Sequence, residues 1–254
     1  MRCSIVRSLC LVAFVAPLAR SESQAARASM DTIRVGNLIA VLQPGVDTLE
    51  TTFEARGPSG NVDKRTNVAI VRRTRETLGG DEVLHVRFGG DAPGPVFDFY
   101  LDPRTMATRR FEQHTPTDSA VTTLANGCVS GWVHLQKSER REIKCLPYGD
   151  RFAGSPVDDA IIGLLPLKAN FEAALATYSP MTDAAAAQVY SVRATDTIDV
   201  ANRRIVAWRV ERIIKTDYGT YTTNLWVDKA RHRVVRAQRD FGNGRTSVSV
   251  LRNP

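Results

Sequence analysis

Three consecutive strands between Arg204 and Arg236 constrain the fold more than any other part of the chain. Apolar side chains alternate along the first, Arg204–Arg212, and again along the second, Thr220–Val227, while a third begins near Arg233. Alternation with a period of two is typical of half-buried antiparallel strands. Because tight turns join these strands, the chain predicts a sheet built from successive hairpins.

The same alternation, bounded by Gly and Pro, predicts further strands along the chain. Gly79-Gly80-Asp81 is a strong hairpin signal between two of them. Phe171–Tyr178 fits a helix and a strand equally well, and Ala184–Ala187 favours helix locally. The remaining predicted strands are 33–42, 47–56, 64–76, 81–88, 96–101, 106–114, 120–125, 189–195 and 245–251. The fold class is therefore mainly β, with roughly a dozen strands.

One short helix is predicted at about residues 155–165. Ser155 is suited to the N-cap, Pro156 to the first helical position and Asp158 to the third, as in a capping box. An apolar stripe follows, formed by Val157, Ala160, Ile161, Leu164 and Leu165. So short a helix needs packing to be stable, and we expect it to lie across the concave face of a sheet.

The first 25 residues predict a secretory signal peptide, with basic Arg2 and Arg7, the apolar run 9–16, and small residues near Ala25 for cleavage. A membrane anchor is the alternative. A flexible lead-in at 26–32 and one β-rich domain at 33–254 follow. We therefore expect an exported protein, periplasmic or extracellular, with no transmembrane segment after cleavage.

Charge argues against a nucleic-acid partner. The formal charge of +7 falls to about +5 once the three arginines and one glutamate of residues 1–25 are removed. The remaining arginines are spread along the chain as pairs such as Arg72-Arg73 and Arg109-Arg110, with acidic residues between them. Nucleic-acid proteins concentrate such charge on one element. A basic face resting on anionic lipid headgroups is left open.

Cys128 and Cys145 are the two cysteines outside the signal peptide. A two-residue loop between their strands would place them opposite each other, and facing cysteines in an exported protein form a disulfide. A redox or metal pair is the alternative, but only His134 is near and the CxxC spacing is absent.

No catalytic or metal-binding motif is visible in the sequence. The four histidines are scattered, and the chain contains no HExxH, phosphate loop or GxSxG. Ser130 lies within a predicted strand. Asp158-Asp159 is interpreted as cap and helix-dipole partners rather than a carboxylate pair. We therefore expect no enzyme, no cofactor and no metal.

Two turns repeat one pattern. Tyr100-Leu101-Asp102 and Trp226-Val227-Asp228 each precede a turn and then an arginine-rich strand. In both, the aspartate is placed to accept hydrogen bonds from the turn amides. Duplication of a half-sheet and convergent turn chemistry explain the repeat equally well.

Three segments, 164–168 (LLPLK), 207–211 (AWRVE) and 225–236 (LWVDKARHRVVR), carry a resemblance to a family of exported bacterial proteins of unknown function. That family is similar in fold to the periplasmic lipoprotein carriers and their outer-membrane receptor, the LolA/LolB-like superfamily. The resemblance covers mainly residues 160–240. It implies a strongly curved antiparallel sheet that forms an open half-barrel, with helices covering an apolar cavity.

An apolar ligand site follows from these expectations. A helix of eight to ten residues spans about 15 Å, less than the width of a sheet with strands about 4.8 Å apart, so part of the concave face stays uncovered. For any one candidate side chain, core packing is the alternative to ligand contact. The candidate cavity residues are Phe97, Phe99, Leu101, Ile161, Leu164, Leu165, Leu225 and Val227.

Two functions are compatible with the predicted half-barrel fold. The first is a non-enzymatic exported binding protein that holds a lipid or another apolar molecule in the half-barrel. The second is a structural or scaffolding envelope protein with a packed core and a protein partner.

Overall fold

The computed structural model describes residues 31–32, 38–57, 59–90, 94–147, 152–153, 155–179, 184–216, 219–242 and 244–254. Sixteen strands and one helix make up this part of the chain. They are β1 (Asp31–Thr32), β2 (Gly45–Arg56), β3 (Val62–Leu78), β4 (Asp81–Gly89), β5 (Val96–Leu101), β6 (Thr108–His114), β7 (Ser119–Ala125), β8 (Cys128–His134), β9 (Arg141–Pro147), β10 (Phe152–Ala153), α1 (Ser155–Gly163), β11 (Glu172–Ser179), β12 (Ala184–Val200), β13 (Arg203–Thr216), β14 (Gly219–Asp228), β15 (Val234–Gly242) and β16 (Arg245–Leu251).

Fourteen of these strands form one antiparallel sheet in the order β11 to β16, then β2 to β9. Every neighbouring pair but one follows directly in sequence, and β16 closes the gap by pairing with β2. The short strands β1 and β10 pair in parallel with β11. Among the described residues the two ends of the sheet are not joined. The predicted mainly-β open half-barrel is confirmed.

The main core demonstrates that the sheet is strongly curved. Phe99 on β5 and Phe111 on β6 belong to the same buried cluster as Tyr190 on β12 and Val210 on β13. In a flat sheet β5 and β12 would lie about 38 Å apart, because eight strand spacings separate them. Side chains on β4–β6 can meet those on β11–β15 only if the sheet curls around them.

Helix α1 and an irregular segment together cover part of the concave face. The helix packs against β14 and β15 and ends at Gly163, slightly before the predicted end. The side chains of 155–158, and with them the predicted cap, lie outside the described residues. The prediction of a strand at 33–42 is wrong for the described residues 38–42, which are irregular. Residues 38–44, here named the strap, run beside the helix, because the Ile39 amide donates a hydrogen bond to the Leu164 carbonyl (2.8 Å) rather than to a neighbouring strand.

The strands from β11 onward can be compared with the helix and strand preferences of their sequences. The three strands that anchor the sequence analysis are confirmed as β13, β14 and β15. The ambiguous segment 171–178 is strand β11. Ala184–Ala187 is also extended, against its helical preference, because it pairs with Ala176–Ser179 on one side. Pairing within a sheet outweighs the small propensity of four alanines.

The disulfide Cys128–Cys145 is present, with a Cα–Cα distance of 4.7 Å, but the predicted register is wrong. The β8–β9 loop spans 135–140, so Cys128 lies opposite Pro147. A bulge in β9 brings Cys145 back toward Cys128. Gly131 beside this bulge has no room for a side chain, because a Cβ would lie 2.0 Å from the Val121 carbonyl oxygen.

The signal-peptide prediction for 1–25 and most of the lead-in fall outside the described residues. Strand β1 shows that the end of the predicted lead-in, Asp31–Thr32, is paired rather than loose. Within the described part of the chain, no helix has both the length and the apolar character needed to cross a membrane.

Candidate ligand cavity

A cavity of about 870 Å³ lies on the concave side of the sheet. The strap, helix α1 and the turn at 231–233 form one wall, and strands β2, β3, β15 and β16 form much of the other. The strand β2 contributes Leu49, Thr51 and Phe53, which are two residues apart and therefore face the same way. The other apolar lining residues are Ala40, Val41, Leu42, Pro44, Val71, Phe88, Ala160, Leu164, Val234, Val235, Ala237 and Leu251.

The cavity only partly coincides with the residues predicted from the sequence. Leu164 is the one of the eight candidates that lines it among the described residues. Phe99, Leu101, Ile161, Leu165, Leu225 and Val227 are buried in the main core, and Phe97 packs against that core. They occupy the concave face directly beneath the helix, where opposite strands fill the space. The lining residues lie mainly on the neighbouring strands β2, β3, β15 and β16. Ligand contact by the eight candidates stays a prediction.

Two groups of charged side chains flank the apolar walls. In the first, Asp47 on β2 is shared by two arginines. Its Oδ2 accepts from Arg73 Nη1 (2.5 Å) and its Oδ1 accepts from Arg233 Nη2. The Arg73 and Asp47 side chains are only 13% and 15% exposed. Arg73 Nε also donates to the Gln43 carbonyl (2.8 Å), so this group ties the strap to the sheet.

The second group is built around Asp159 of helix α1. Its two carboxylate oxygens accept from Arg212 on β13 and from Arg239 on β15, the latter at 2.7 Å. The sequence analysis interpreted Asp159 as a cap and helix-dipole partner and did not predict these two arginine contacts. The reason is the curvature of the sheet, which brings the fully buried Arg212 and the half-buried Arg239 under the helix. Asp159 fastens the helix to the sheet.

Arginines outnumber carboxylates around the cavity. The described lining residues include two aspartates, Asp47 and Asp159, and five arginines. The arginines are Arg73, Arg231, Arg233, Arg236 and Arg239. Arg236 stacks on Trp226 on the opposite face of the sheet (4.9 Å), so the other four arginines leave two formal positive charges. The sequence did contain a signal for this. In an Arg-Arg pair on a strand one side chain faces each side of the sheet, and Arg73 points inward while Arg72 is exposed.

The β14–β15 turn presents three of the lining residues, Arg231, His232 and Arg233. Asp228 holds the turn, since its Oδ1 accepts from the backbone amides of Ala230 and Arg231. The turn touches the end of the helix so closely that a Cβ at Gly163 would lie 2.4 Å from the His232 carbonyl oxygen. Gly163 is therefore required by this contact.

A separate polar cluster lies on the face of β4 and β5 opposite the cavity. His85 Nδ1 is 2.8 Å from Glu76, its Nε2 is 2.7 Å from Asp98, and its ring stacks on Tyr100. The hydrogen bond to Asp98 raises the pKa of His85 above its usual 6.5, burial opposes the shift, and the hydrogen bond to Glu76 adds to it. Nowhere in the described residues do three His, Cys, Asp or Glu side chains converge as a metal site needs.

Comparisons with known proteins identify a family and a fold. A family model described as a protein of unknown function (DUF3108) matches residues 51–249. The crystal structure of a beta-barrel-like DUF1849 protein from Brucella abortus is 15% identical, covers 84% of this chain and 97% of its own, and has a TM-score of 0.52.

The hypothetical lipoprotein YmcC from Escherichia coli is 12% identical, covers 92% of this chain and 97% of its own, and has a TM-score of 0.39. Among curated proteins no match is found. The predicted resemblance to a barrel-like family of unknown function is confirmed.

Proposed function

Because this chain belongs to the DUF3108 family of proteins of unknown function, and because it encloses an apolar cavity, we propose that it is a non-enzymatic exported binding protein. Its ligand is a lipid or another apolar molecule held between the strap, helix α1 and the sheet. The cavity is the single observation on which this proposal rests.

The size and lining of the cavity support the proposal. Its volume of about 870 Å³ lies within the range of small-molecule sites, about 300–1,000 Å³. Burial of a hydrocarbon chain contributes about 0.8 kcal/mol per methylene, so an apolar wall alone gives useful affinity. Phe53, which is 41% exposed, borders the cavity and gives it an apolar rim toward solvent.

The charged groups favour binding over catalysis. Both carboxylates on the cavity wall, Asp47 and Asp159, are engaged by two arginines each. An aspartate held in this way is a poor general base, because its arginine partners occupy its oxygens.

Two features of the chain support export. The apolar run at residues 9–16 after a basic start is typical of a secretory signal. The disulfide Cys128–Cys145 is the kind of bond that persists in oxidising compartments such as the periplasm.

A matched pair of phenylalanine variants tests the proposal. Phe53→Ser removes part of the cavity rim, whereas Phe241→Ser removes a phenylalanine of similar exposure, 44%, that does not line the cavity. The probe is the neutral dye N-phenyl-1-naphthylamine, followed by fluorescence titration. We expect Phe53→Ser to weaken dye binding by about fivefold to tenfold, and Phe241→Ser to leave it within twofold.

Native mass spectrometry of the protein purified from its own cell envelope gives a second measurement, in which a co-purifying apolar adduct is expected. A clean apo mass together with no dye binding contradicts the proposal and favours the scaffolding alternative. Equal losses in the two variants place the dye outside the cavity and also count against the proposal.

A further inference from the structure

The excess positive charge of the cavity is concentrated at one end. At the end near the strap, Arg73 and Arg233 both bind the carboxylate of Asp47, and Arg231 lines the cavity on the same turn as Arg233. These three arginines are named the arginine group. At the other end of the described lining, Arg239 is paired with Asp159, which also binds the buried Arg212 behind the lining. Among the described lining residues, the arginine group therefore has three arginines for one carboxylate, whereas the opposite end has one arginine for one carboxylate.

The arginine group retains many hydrogen-bond donors. A guanidinium has five N–H donors. Arg73 uses one on Asp47 and one on the Gln43 carbonyl, and Arg233 uses one on Asp47. Within the described residues the Arg231 side chain has no hydrogen bond or ion pair. A neutral ligand that displaces water from this end would leave these donors without acceptors, which is unfavourable.

On β2 and β3 the charged lining residues lie at the end near the strap. On β2 the cavity face runs from Asp47 through Leu49 and Thr51 to Phe53, about 20 Å of wall at 3.4 Å per residue. The hydroxyl of Thr51 is hydrogen-bonded to that of Ser249 (2.8 Å). On β3, Arg73 and Val71 line the cavity on the same face, and Val71 pairs with Asp47. The cavity thus has a cationic end followed by a mostly apolar wall.

We propose that the ligand is an anionic amphiphile, with a carboxylate or phosphate head bound by the arginine group and a single hydrocarbon chain along β2 and β3. This inference rests on the proposed function and adds the chemical class of the ligand. Bidentate hydrogen bonding between guanidinium and carboxylate or phosphate is the interaction for which arginine is best suited.

Competition against the neutral dye on the wild-type protein tests the inference without any variant. The anionic probes are palmitate and 1-palmitoyl lysophosphatidate, each below its micelle concentration. Hexadecanol and monopalmitin are the neutral partners with the same chain, and inorganic phosphate is the head alone. We expect each anionic probe to bind at least tenfold more tightly than its neutral partner, and phosphate alone not to displace the dye.

Charge-removing variants identify the residues. Arg231→Gln and Arg233→Gln are each expected to weaken palmitate binding about tenfold while changing hexadecanol binding less than twofold. Arg245→Gln is the matched control, because Arg245 is exposed on β16 and does not line the cavity. It should change neither affinity, and circular dichroism confirms that each variant is folded.

The outcomes separate this inference from the proposed function. Equal binding of anionic and neutral probes overturns the inference and leaves the proposed function standing. Displacement of the dye by phosphate alone, or an equal loss in Arg245→Gln, also overturns it. If the dye and all four amphiphiles fail to bind, it is the proposed function that fails. The relative affinities of palmitate and lysophosphatidate identify which head the site prefers.

Discussion

Two hairpins in this molecule, β5–β6 and β14–β15, have the same turn but different surroundings. In each, the aspartate at the start of the turn accepts hydrogen bonds from the amides two and three residues later, Arg104 and Thr105 for Asp102, and Ala230 and Arg231 for Asp228. A register shift precedes each aspartate. The turn hydrogen bonding predicted from the sequence is confirmed.

The hairpins differ in what the turn presents. The fourth residue after the aspartate has a left-handed backbone in both, with φ of 58° for Met106 and 54° for His232. Met106 is fully buried in the main core, whereas His232 lines the cavity between Arg231 and Arg233. The same turn conformation therefore presents a core residue in the β5–β6 hairpin and a cavity residue in the β14–β15 hairpin. Its side chains, and not the turn itself, determine the role.

The largest expected effect comes from the same substitution at both left-handed positions. Met106→Gly should lower the free energy of unfolding by about 3 kcal/mol, because the lost core contacts outweigh the relieved backbone. His232→Gly should be neutral or stabilising by up to about 1 kcal/mol. Urea denaturation of both variants gives the comparison. Similar losses at the two positions would show that the turns do not differ in their dependence on packing.

Removal of each turn carboxylate is expected to have an intermediate effect. Asp102→Ala and Asp228→Ala should each destabilise the protein by about 1–2 kcal/mol, because amides of the turn lose their acceptor. Only Asp228→Ala should also weaken palmitate binding, since Asp228 holds the turn that carries Arg231. Thermal denaturation and dye competition measure the two properties. Loss of palmitate binding in Asp102→Ala would contradict the separation of roles.

The smallest effect is a difference in acid sensitivity at the β5–β6 turn. Burial opposes ionisation of Asp102, but hydrogen bonds from the Arg109 side chain and from the Thr105 and Arg104 amides lower its pKa from 3.8 to about 2. The stability contributed by this carboxylate is therefore complete above pH 3.8 and is lost as the pH falls toward 2.

The difference in unfolding free energy between the wild type and Asp102→Asn should accordingly shrink between pH 5 and pH 2. Urea denaturation at stepwise pH provides the measurement. A difference that stays constant to pH 2 would mean that ionisation of Asp102 does not stabilise the turn.

Local patterns were sufficient to predict most of the fold. Alternation along 204–236 located β13, β14 and β15, and the Asp102 and Asp228 turns followed from turn chemistry. Predictions failed where pairing with distant residues decides the structure. The alanines at 184–187 are extended because of their partners in β11, and the strap is not a strand because its amide bonds to the end of the helix.

The cavity was less predictable because it depends on which distant elements meet. Asp47 and Arg233 are 186 residues apart, and Asp159 and Arg239 are 80 apart. No local pattern specifies such pairs. The apolar stripe of helix α1 correctly indicated that the helix packs on the concave face. However, only some of its described residues line the cavity, because the others contact the part of that face that is filled by the main core. The inward arginine of the Arg72-Arg73 pair was a usable signal of a charged lining.

The contact between Gly163 and His232 joins the C-terminal end of helix α1 to the turn that carries Arg231 and Arg233. Since not even a methyl group fits between them, the turn has no room to shift toward the helix unless the end of the helix shifts as well. Binding at the two arginines and the position of the helix end are therefore expected to be coupled. By reciprocity, any change that stiffens that end of the helix should alter the affinity of the cavity, even at a position that never touches the ligand.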